Sequence, residues 1–429
     1  QKNPKPILFK KRKENVIYSV NSWGDYFYVH TNEKAEDFKV IRCKNNNINV
    51  MEDFISAKKE VLIGNCSFLK DWVIRGEVSN AKPILYARNI KSHIEEKIKI
   101  TNEEIYSPSF SFKQKNRNTN TILISYSSPK TPSRTYEYDL KNKKKKLVKK
   151  QVVPSGHNNK NFIVERKECL SKDGSKVPLT ILRHKNTPLN GKANIVLYGY
   201  GAYGNSMSNG FSSTRISIVN RDIIWVTAHI RGGMERGMKW WKQGKMLNKK
   251  NSFNDYIDSA KYLIKNKYTS KKRIIGMGGS AGGLLIGAVL NMRSDLFLGA
   301  IMAVPFVDSL TTNLDHNLPL TVGEFKEFGN AKKYKHHFNY ILSYAPYNNI
   351  KRKDYPNLLI TTSLSDNRVL FDEPLKYVAK LREYKKDKNI LILKTDMEAG
   401  HGGKTGRDSG IEEIALDYAF ILKITKKTT

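Results

Sequence analysis

Two hydrophobic rhythms divide the chain near residue 158. Before it, short runs alternate apolar with polar residues: Val16–Val20, Tyr26–His30, Lys39–Arg42, Asp71–Arg75, Ile84–Ala87, Thr121–Tyr126 and Thr135–Tyr138. A period of two marks strands with one buried face, and polar turns at this spacing suit propeller blades, though a sandwich would read similarly. At roughly 40 to 45 residues per blade, residues 1–158 make about three to four blades of a partial β-propeller. Beyond it the apolar runs become continuous, at Ala193–Leu197, Arg273–Gly276, Asn357–Thr362 and Asn389–Leu393. These predict strands of an α/β domain over residues 159–429, buried on both faces.

One of these strands runs into Met277-Gly278-Gly279-Ser280-Ala281-Gly282-Gly283 and then into the apolar helix that opens at Leu284. A serine in so sharp a turn adopts backbone angles that only small neighbours tolerate. Its hydroxyl is then exposed at a helix N-terminus, where free N–H groups stabilise an oxyanion. A bare G-x-S-x-G string is weak, but between a strand and a helix it predicts a nucleophile elbow of the α/β-hydrolase kind.

A serine hydroxyl needs a base, and the base needs an acid to orient it. In α/β-hydrolases these follow in the order serine, acid, histidine. Asp366 follows the strand at Asn357–Thr362, and His401 lies in Glu398-Ala399-Gly400-His401-Gly402-Gly403 after the strand at Asn389–Leu393. Both fall beyond strand C-termini, where open α/β sheets place their chemistry. Eight other histidines compete as bases, and Asp308 and Asp315 compete as acids. Only His401 combines a glycine-rich post-strand loop with an aspartate upstream.

With these residues in view, the sequence resembles the catalytic domain of the prolyl oligopeptidase family, and oligopeptidase B most of all. The resemblance is carried by Tyr198-Gly199-Tyr200-Gly201-Ala202-Tyr203-Gly204, His229-Ile230-Arg231-Gly232-Gly233, Asn251-Ser252-Phe253-Asn254-Asp255-Tyr256 and the elbow. It continues through Val304-Pro305-Phe306-Val307-Asp308, Gly323-Glu324-Phe325, Asp366-Asn367-Arg368-Val369, Glu373-Pro374 and Gly400-His401-Gly402-Gly403. It implies a peptidase acting through a serine acyl-enzyme, with Ser280 as nucleophile, His401 as base and Asp366 as its orienting acid. It further implies an oxyanion hole of the Tyr200 hydroxyl and the Ala281 N–H, and a substrate-carbonyl contact from Arg368. The resemblance covers only the C-terminal part of a family member, whose propeller has about seven blades.

The sequence departs from that pattern where oligopeptidase B holds a cationic side chain. Carboxylates are expected at Glu324 and Lys326, and at two positions matching Ser208 and Gly210. Three of the four are missing, which leaves Glu324, with Glu327 as the acid able to compensate. A unit charge at about 6 Å is worth roughly 3 kcal/mol at an effective dielectric near 20. The expectation is a preference for arginine or lysine that is weakened or lost.

Composition adds less. The formal charge is +35 over 429 residues, but lysines are scattered and the tightest run, Lys143-Lys144-Lys145-Lys146, reads as a solvated turn. Nucleic acid is not an expected partner. No run of about 18 apolar residues predicts a membrane span, and Gln1-Lys2-Asn3-Pro4-Lys5-Pro6 lacks an apolar signal segment. Three distant cysteines, Cys43, Cys66 and Cys169, suit a reducing, cytoplasmic compartment and show no metal-ligand spacing. The mechanism implied needs neither metal nor organic cofactor. Expected partners are short peptides; a partial propeller cannot close, so either the coding region is broken or a separate N-terminal fragment completes the structure. Two rival readings stand beside this one: a non-catalytic remnant that binds a partner, and an esterase-type α/β-hydrolase.

Overall fold

The computed structural model describes residues 5–113, 115 and 117–426, so Gln1 to Pro4 of the N-terminal reading lie outside the described residues. The N-terminal region forms three antiparallel sheets with meander order, the blades of a β-propeller. The first spans Tyr18–Trp23, Tyr26–Thr31, Lys39–Lys44 and Asn47–Ile55. In the second, Leu62–Ile63 and Ser67–Leu69 both pair with Trp72–Ser79, which continues into Lys82–Asn89 and Glu95–Lys97. The third joins Ser107–Ser111, Thr121–Ser127, Arg134–Asp139 and Lys145–Lys150.

The alternating runs fall on inner and middle strands, where Ile122, Ile124 and Tyr126 point into the core. Among the described residues six strands had no such signal: Asn47–Ile55, Leu62–Ile63, Ser67–Leu69, Glu95–Lys97, Ser107–Ser111 and Lys145–Lys150. The last is fully exposed along its length and corrects the expectation of a turn over Lys143–Lys146. Lys143 does turn, at φ 57, but Lys145 and Lys146 already pair with Tyr138 and Glu137. An outer strand buries neither face deeply, so nothing forces its residues to alternate.

The remainder is an α/β-hydrolase domain built on one eight-stranded sheet. Its strands are β1 (Phe162–Leu170), β2 (Lys176–His184), β3 (Asn194–Tyr198), β4 (Ile223–Ala228), β5 (Ile274–Gly279), β6 (Phe297–Ala303), β7 (Asn357–Ser363) and β8 (Leu391–Asp396). The spatial order is β1-β2-β4-β3-β5-β6-β7-β8, antiparallel around β2 and parallel from β4 onward. β8 begins two residues later than the apolar run suggests. Asn389 is held outside the ladder, its amide donating to the Tyr355 carbonyl at 2.6 Å.

Helices cover both faces. Lys250–Lys265 and Ala281–Arg293 bury Phe253, Tyr256, Leu284 and Leu285 against one side, and Arg407–Thr425 buries Phe420, Ile421 and Leu422 against the other. In Ala281–Arg293 the first ten residues are all buried, so it has no polar face to register.

The parallel register sets the position of the site. Tyr198 pairs with Met277, Gly279 with Ala303, Ala303 with Thr361, and Ser363 with Asp396. The strand tips therefore share one rim, and the segments that follow them emerge side by side. Blade residues meet this rim from above. Asp37 accepts the Met238 N–H at 2.6 Å, and Ser107 Oγ accepts the Asn209 N–H at 3.0 Å.

Candidate active site

Ser280 follows the last residue of β5 and has φ 55 and ψ −121. A residue with a Cβ rarely adopts this conformation, which costs on the order of 1–3 kcal/mol and persists only where the surroundings enforce it. Here they do. The Ser280 N–H donates to the Ala303 carbonyl at 2.8 Å, and its own carbonyl accepts from Gly283 and Phe306 at 2.8 and 3.1 Å. The turn closes only with glycine on either side. A Cβ on Gly278 would lie 2.4 Å from the Gly282 carbonyl oxygen, and one on Gly282 would lie 2.9 Å from that of Gly199. Ala281 opens the helix, so its N–H has no intrahelical acceptor.

The same close packing brings in Tyr200, two residues beyond β3. Its backbone lies against Gly282, and its phenol is flanked by Asn205 and the Ser280 hydroxyl. Burial raises the pKa of that phenol, while hydrogen bonding from these neighbours works the other way. A tyrosine held protonated beside a serine is a donor for negative charge developing there.

Asp366 and His401 meet beyond β7 and β8. The imidazole Nδ1–H donates to Asp366 Oδ2 at 2.7 Å, with the carboxylate fully buried and the ring mostly so. The other carboxylate oxygen accepts the N–H groups of Arg368 and Val369 at 2.8 and 3.0 Å. Both oxygens are thus fixed, and the pairing leaves Nε2 as the basic nitrogen of His401. His401 lines a cavity of about 230 Å³ together with Ala303 and Val304. Ala303 is the residue whose carbonyl holds the Ser280 N–H, so imidazole and serine border the same rim. Among the described residues no hydrogen bond joins them, a separation common before substrate is bound.

The three residues expected to contact substrate fare differently. Arg368 is exposed, and among the described residues no carboxylate pairs with it. Glu324 is half-buried and accepts a 2.7 Å hydrogen bond from the Tyr203 hydroxyl; burial raises its pKa against that hydrogen bond, and the nearby Glu327 raises it further. Glu327 does not reach toward an open pocket as a compensating acid would. It is 4% exposed, with Oε1 accepting the Tyr203 N–H and Oε2 the Trp241 indole N–H, both at 2.9 Å. Lys326 between them is exposed, while Ser208 and Gly210 sit against blade residues Ser107 and Ser127.

The sequence reading gave no role to Tyr203 or Lys249. Tyr203 has φ 57, unusual for a bulky residue, and touches both glutamates. Lys249 is 1% exposed and donates to the Gly201 carbonyl at 2.6 Å. The only sequence signal was position: one lies inside the Tyr198–Gly204 motif and the other two residues before Asn251-Ser252-Phe253.

Comparison with known proteins agrees with this architecture. Residues 209–428 match the model of the prolyl oligopeptidase family, and residues 1–151 match its N-terminal beta-propeller domain. Protease 2 of Moraxella lacunata is 37% identical over 415 residues, covering 97% of this chain and 59% of that protein. Dipeptidyl aminopeptidase BI of Pseudoxanthomonas mexicana is also 37% identical over 415 residues, with coverage of 96% and 57%. Oligopeptidase B of Trypanosoma brucei, solved in a closed form with covalently bound antipain, superposes with a TM-score of 0.93 at 34% identity, covering 98% of this chain and 61% of that one. The chain thus spans about three fifths of the length of these relatives. It belongs to the prolyl oligopeptidase family and is closely related to the oligopeptidase B-like enzymes within it.

Proposed function

We propose that the chain is a serine oligopeptidase that hydrolyses short peptides through an acyl-enzyme on Ser280. The observation that carries this reading is the strained Ser280 elbow facing a rim where His401 is already bonded to Asp366 at 2.7 Å. In the first step His401 Nε2 takes the hydroxyl proton as Ser280 Oγ bonds to the scissile carbonyl carbon. The oxyanion is received by the Ala281 N–H and the Tyr200 hydroxyl. As the C–N bond breaks, the proton passes from Nε2 to the leaving amine, and water repeats the cycle to free the acid. Asp366 keeps Nδ1 protonated throughout.

A fluorophosphonate probe and a quenched short peptide test this together. Labelling with peptide turnover supports it; neither would leave a non-catalytic remnant, and turnover of matched esters alone would point to an esterase. Within this mechanism, Tyr200→Phe is expected to lower kcat by about 10²- to 10³-fold with little change in KM, the effect of losing one oxyanion donor. A loss confined to KM would place Tyr200 in substrate binding instead.

We assign a weakened preference for basic residues. Glu324 is already engaged by Tyr203, and the exposed ammonium of Lys326 repels a cationic side chain. Arginine reporter peptides are expected to be cleaved little faster than matched alanine or phenylalanine ones. Lys326→Glu is expected to raise kcat/KM for the arginine peptide at least about tenfold, less than the unscreened Coulomb energy allows. A strong arginine preference in the unmodified chain would refute the assignment. Arg368, exposed and without a carboxylate partner among the described residues, is assigned to a substrate carbonyl. The buried, unpaired Cys43, Cys66 and Cys169 favour the cytoplasm. Among the described residues no helix is long and apolar enough to cross a membrane.

A further inference from the structure

The turn that carries Tyr200 is held from both sides by buried charge. Residues 199–204 leave β3 as a turn that is bridged at Gly204 to Gly233, and Gly201, Tyr203 and Gly204 all have positive φ. Backbone bonds tie its two ends, Gly199 to Met277 and Gly204 to Gly232, so the geometry between them depends on what the Gly201 carbonyl and the Tyr203 N–H meet. Two long side chains reach it. From the start of the helix Lys250–Lys265, Lys249 donates its ammonium to the Gly201 carbonyl at 2.6 Å. From the helix Thr321–Phe328, Glu327 accepts the Tyr203 N–H at 2.9 Å. A cation thus takes the carbonyl and an anion takes the amide on the same turn, just after the tyrosine.

We propose that Lys249 and Glu327 are positioning residues for Tyr200, holding the turn so that its hydroxyl meets the oxyanion at Ser280. This inference rests on the peptidase reading for its catalytic consequence, although the grip on the turn does not.

Hydrogen bonds from ionised groups are about twice as strong as neutral ones, and a buried charge has no water to fall back on. Among the described residues Lys249 and Glu327 form no salt bridge with each other or with a third group; each spends its charge on backbone or, for Glu327, also on the Trp241 indole. The Lys249 ammonium lies 5.5 Å from the Phe328 ring centroid, and Ser252 Oγ stands 3.5 Å from the same Gly201 carbonyl. The charge acting on Lys249 is that of Glu327. From adjoining segments, Glu327 also acts on the phenols of Tyr200, Tyr203 and Tyr344 and on Lys245, which Lys242 and Lys326 oppose.

Burial lowers the pKa of Lys249 to about 8, and Glu327 offsets part of that drop. The grip therefore weakens as pH rises through about 8. Stability does not weaken with it. Between about 8 and the ordinary lysine value the unfolded chain binds more protons at this site, so this group's contribution rises with pH. Loss of activity at alkaline pH without loss of fold is the signature.

The test combines kinetics with a direct view of the carbonyl. With glycine labelled at its ¹³C carbonyl and alanine at ¹⁵N, only the three Gly–Ala pairs report: Gly201–Ala202, Gly287–Ala288 and Gly299–Ala300. The Gly201 signal is expected to titrate near pH 8 in the unmodified protein and to lose that titration in Lys249→Met. Over the same range kcat is expected to fall while KM and Tm hold. Lys249→Met should lower kcat about 10- to 100-fold and abolish the alkaline limb. It should weaken a peptide aldehyde, whose adduct places an oxyanion in the hole, by the same factor. Peptide affinity measured in a Ser280→Ala background should not change. A Gly201 carbonyl indifferent to pH, a variant whose kcat and aldehyde affinity stay within twofold, or a loss that appears in peptide affinity would overturn the inference. If Lys249→Met does not fold, the pH dependence of the unmodified protein decides. Absence of labelling by a fluorophosphonate at any pH would remove the peptidase reading, and the carbonyl titration would still judge the grip.

Discussion

Ser280→Ala is expected to abolish fluorophosphonate labelling and to lower kcat for a short peptide by about 10⁶-fold, the size of effect that follows loss of a nucleophile whose partners act as a unit. The fold should survive. The hydroxyl meets the Tyr200 phenol, but the elbow's backbone is fixed through Ala303, Gly283 and Phe306, which alanine leaves intact. Alanine keeps the Cβ at φ 55, however, so it keeps the strain. Ser280→Gly removes both hydroxyl and strain and should be about 1 kcal/mol more stable than Ser280→Ala, visible as a higher Tm. That pair of variants separates what the position does for chemistry from what it costs the fold. Retained labelling in Ser280→Ala would move the nucleophile elsewhere and dismantle the mechanism.

The elbow was legible because its chemistry is local. Gly278, Ser280 and Gly282 lie within five residues, and each glycine is required by a clash that any side chain would create. The order of Asp366 and His401 after it was legible for a related reason: parallel strands bring their C-termini to one rim, so position after a strand predicts position in space. Glu327 was not legible. As one of two acids in Glu324-Phe325-Lys326-Glu327 it reads as a pocket or surface carboxylate, and nothing nearby in sequence announces that its partners are Tyr203 and Trp241. Lys249 is a harder case. In a chain with 75 lysines and arginines, one buried amine carries no compositional mark. Its meaning comes from a carbonyl 48 residues away.

The blades show the same division. Thr121–Ser127 alternates buried with half-buried residues and was visible; Lys145–Lys150 is exposed throughout and was not. Blade residues nonetheless reach the site. Asn209, in the loop after the Tyr200 turn, donates to the Ala81 carbonyl at 2.8 Å and takes a hydrogen bond from Thr180 at 2.9 Å. The loop that carries Ser208 and Gly210 is therefore anchored to the blades through the residue between them.

Asp366→Asn isolates orientation from charge, because the structure dictates which way the new amide must face. Asp366 Oδ1 accepts two backbone N–H groups, from Arg368 and Val369. Asparagine can satisfy them only with its oxygen, which turns its NH₂ toward His401 Nδ1, where Oδ2 now sits at 2.7 Å. Two donors cannot share that contact, so Nδ1 must give up its proton and become the acceptor. The proton moves to Nε2, the nitrogen that should receive it from Ser280. The expected result is a loss of about 10⁴-fold in kcat, and a matching loss in the rate of fluorophosphonate labelling, with Tm nearly unchanged. Asp366→Ala should lose activity too, but it also strands two N–H groups and should cost about 1–3 kcal/mol of stability. Activity in Asp366→Asn within tenfold of the unmodified chain would mean that this carboxylate does not set the tautomer of the base.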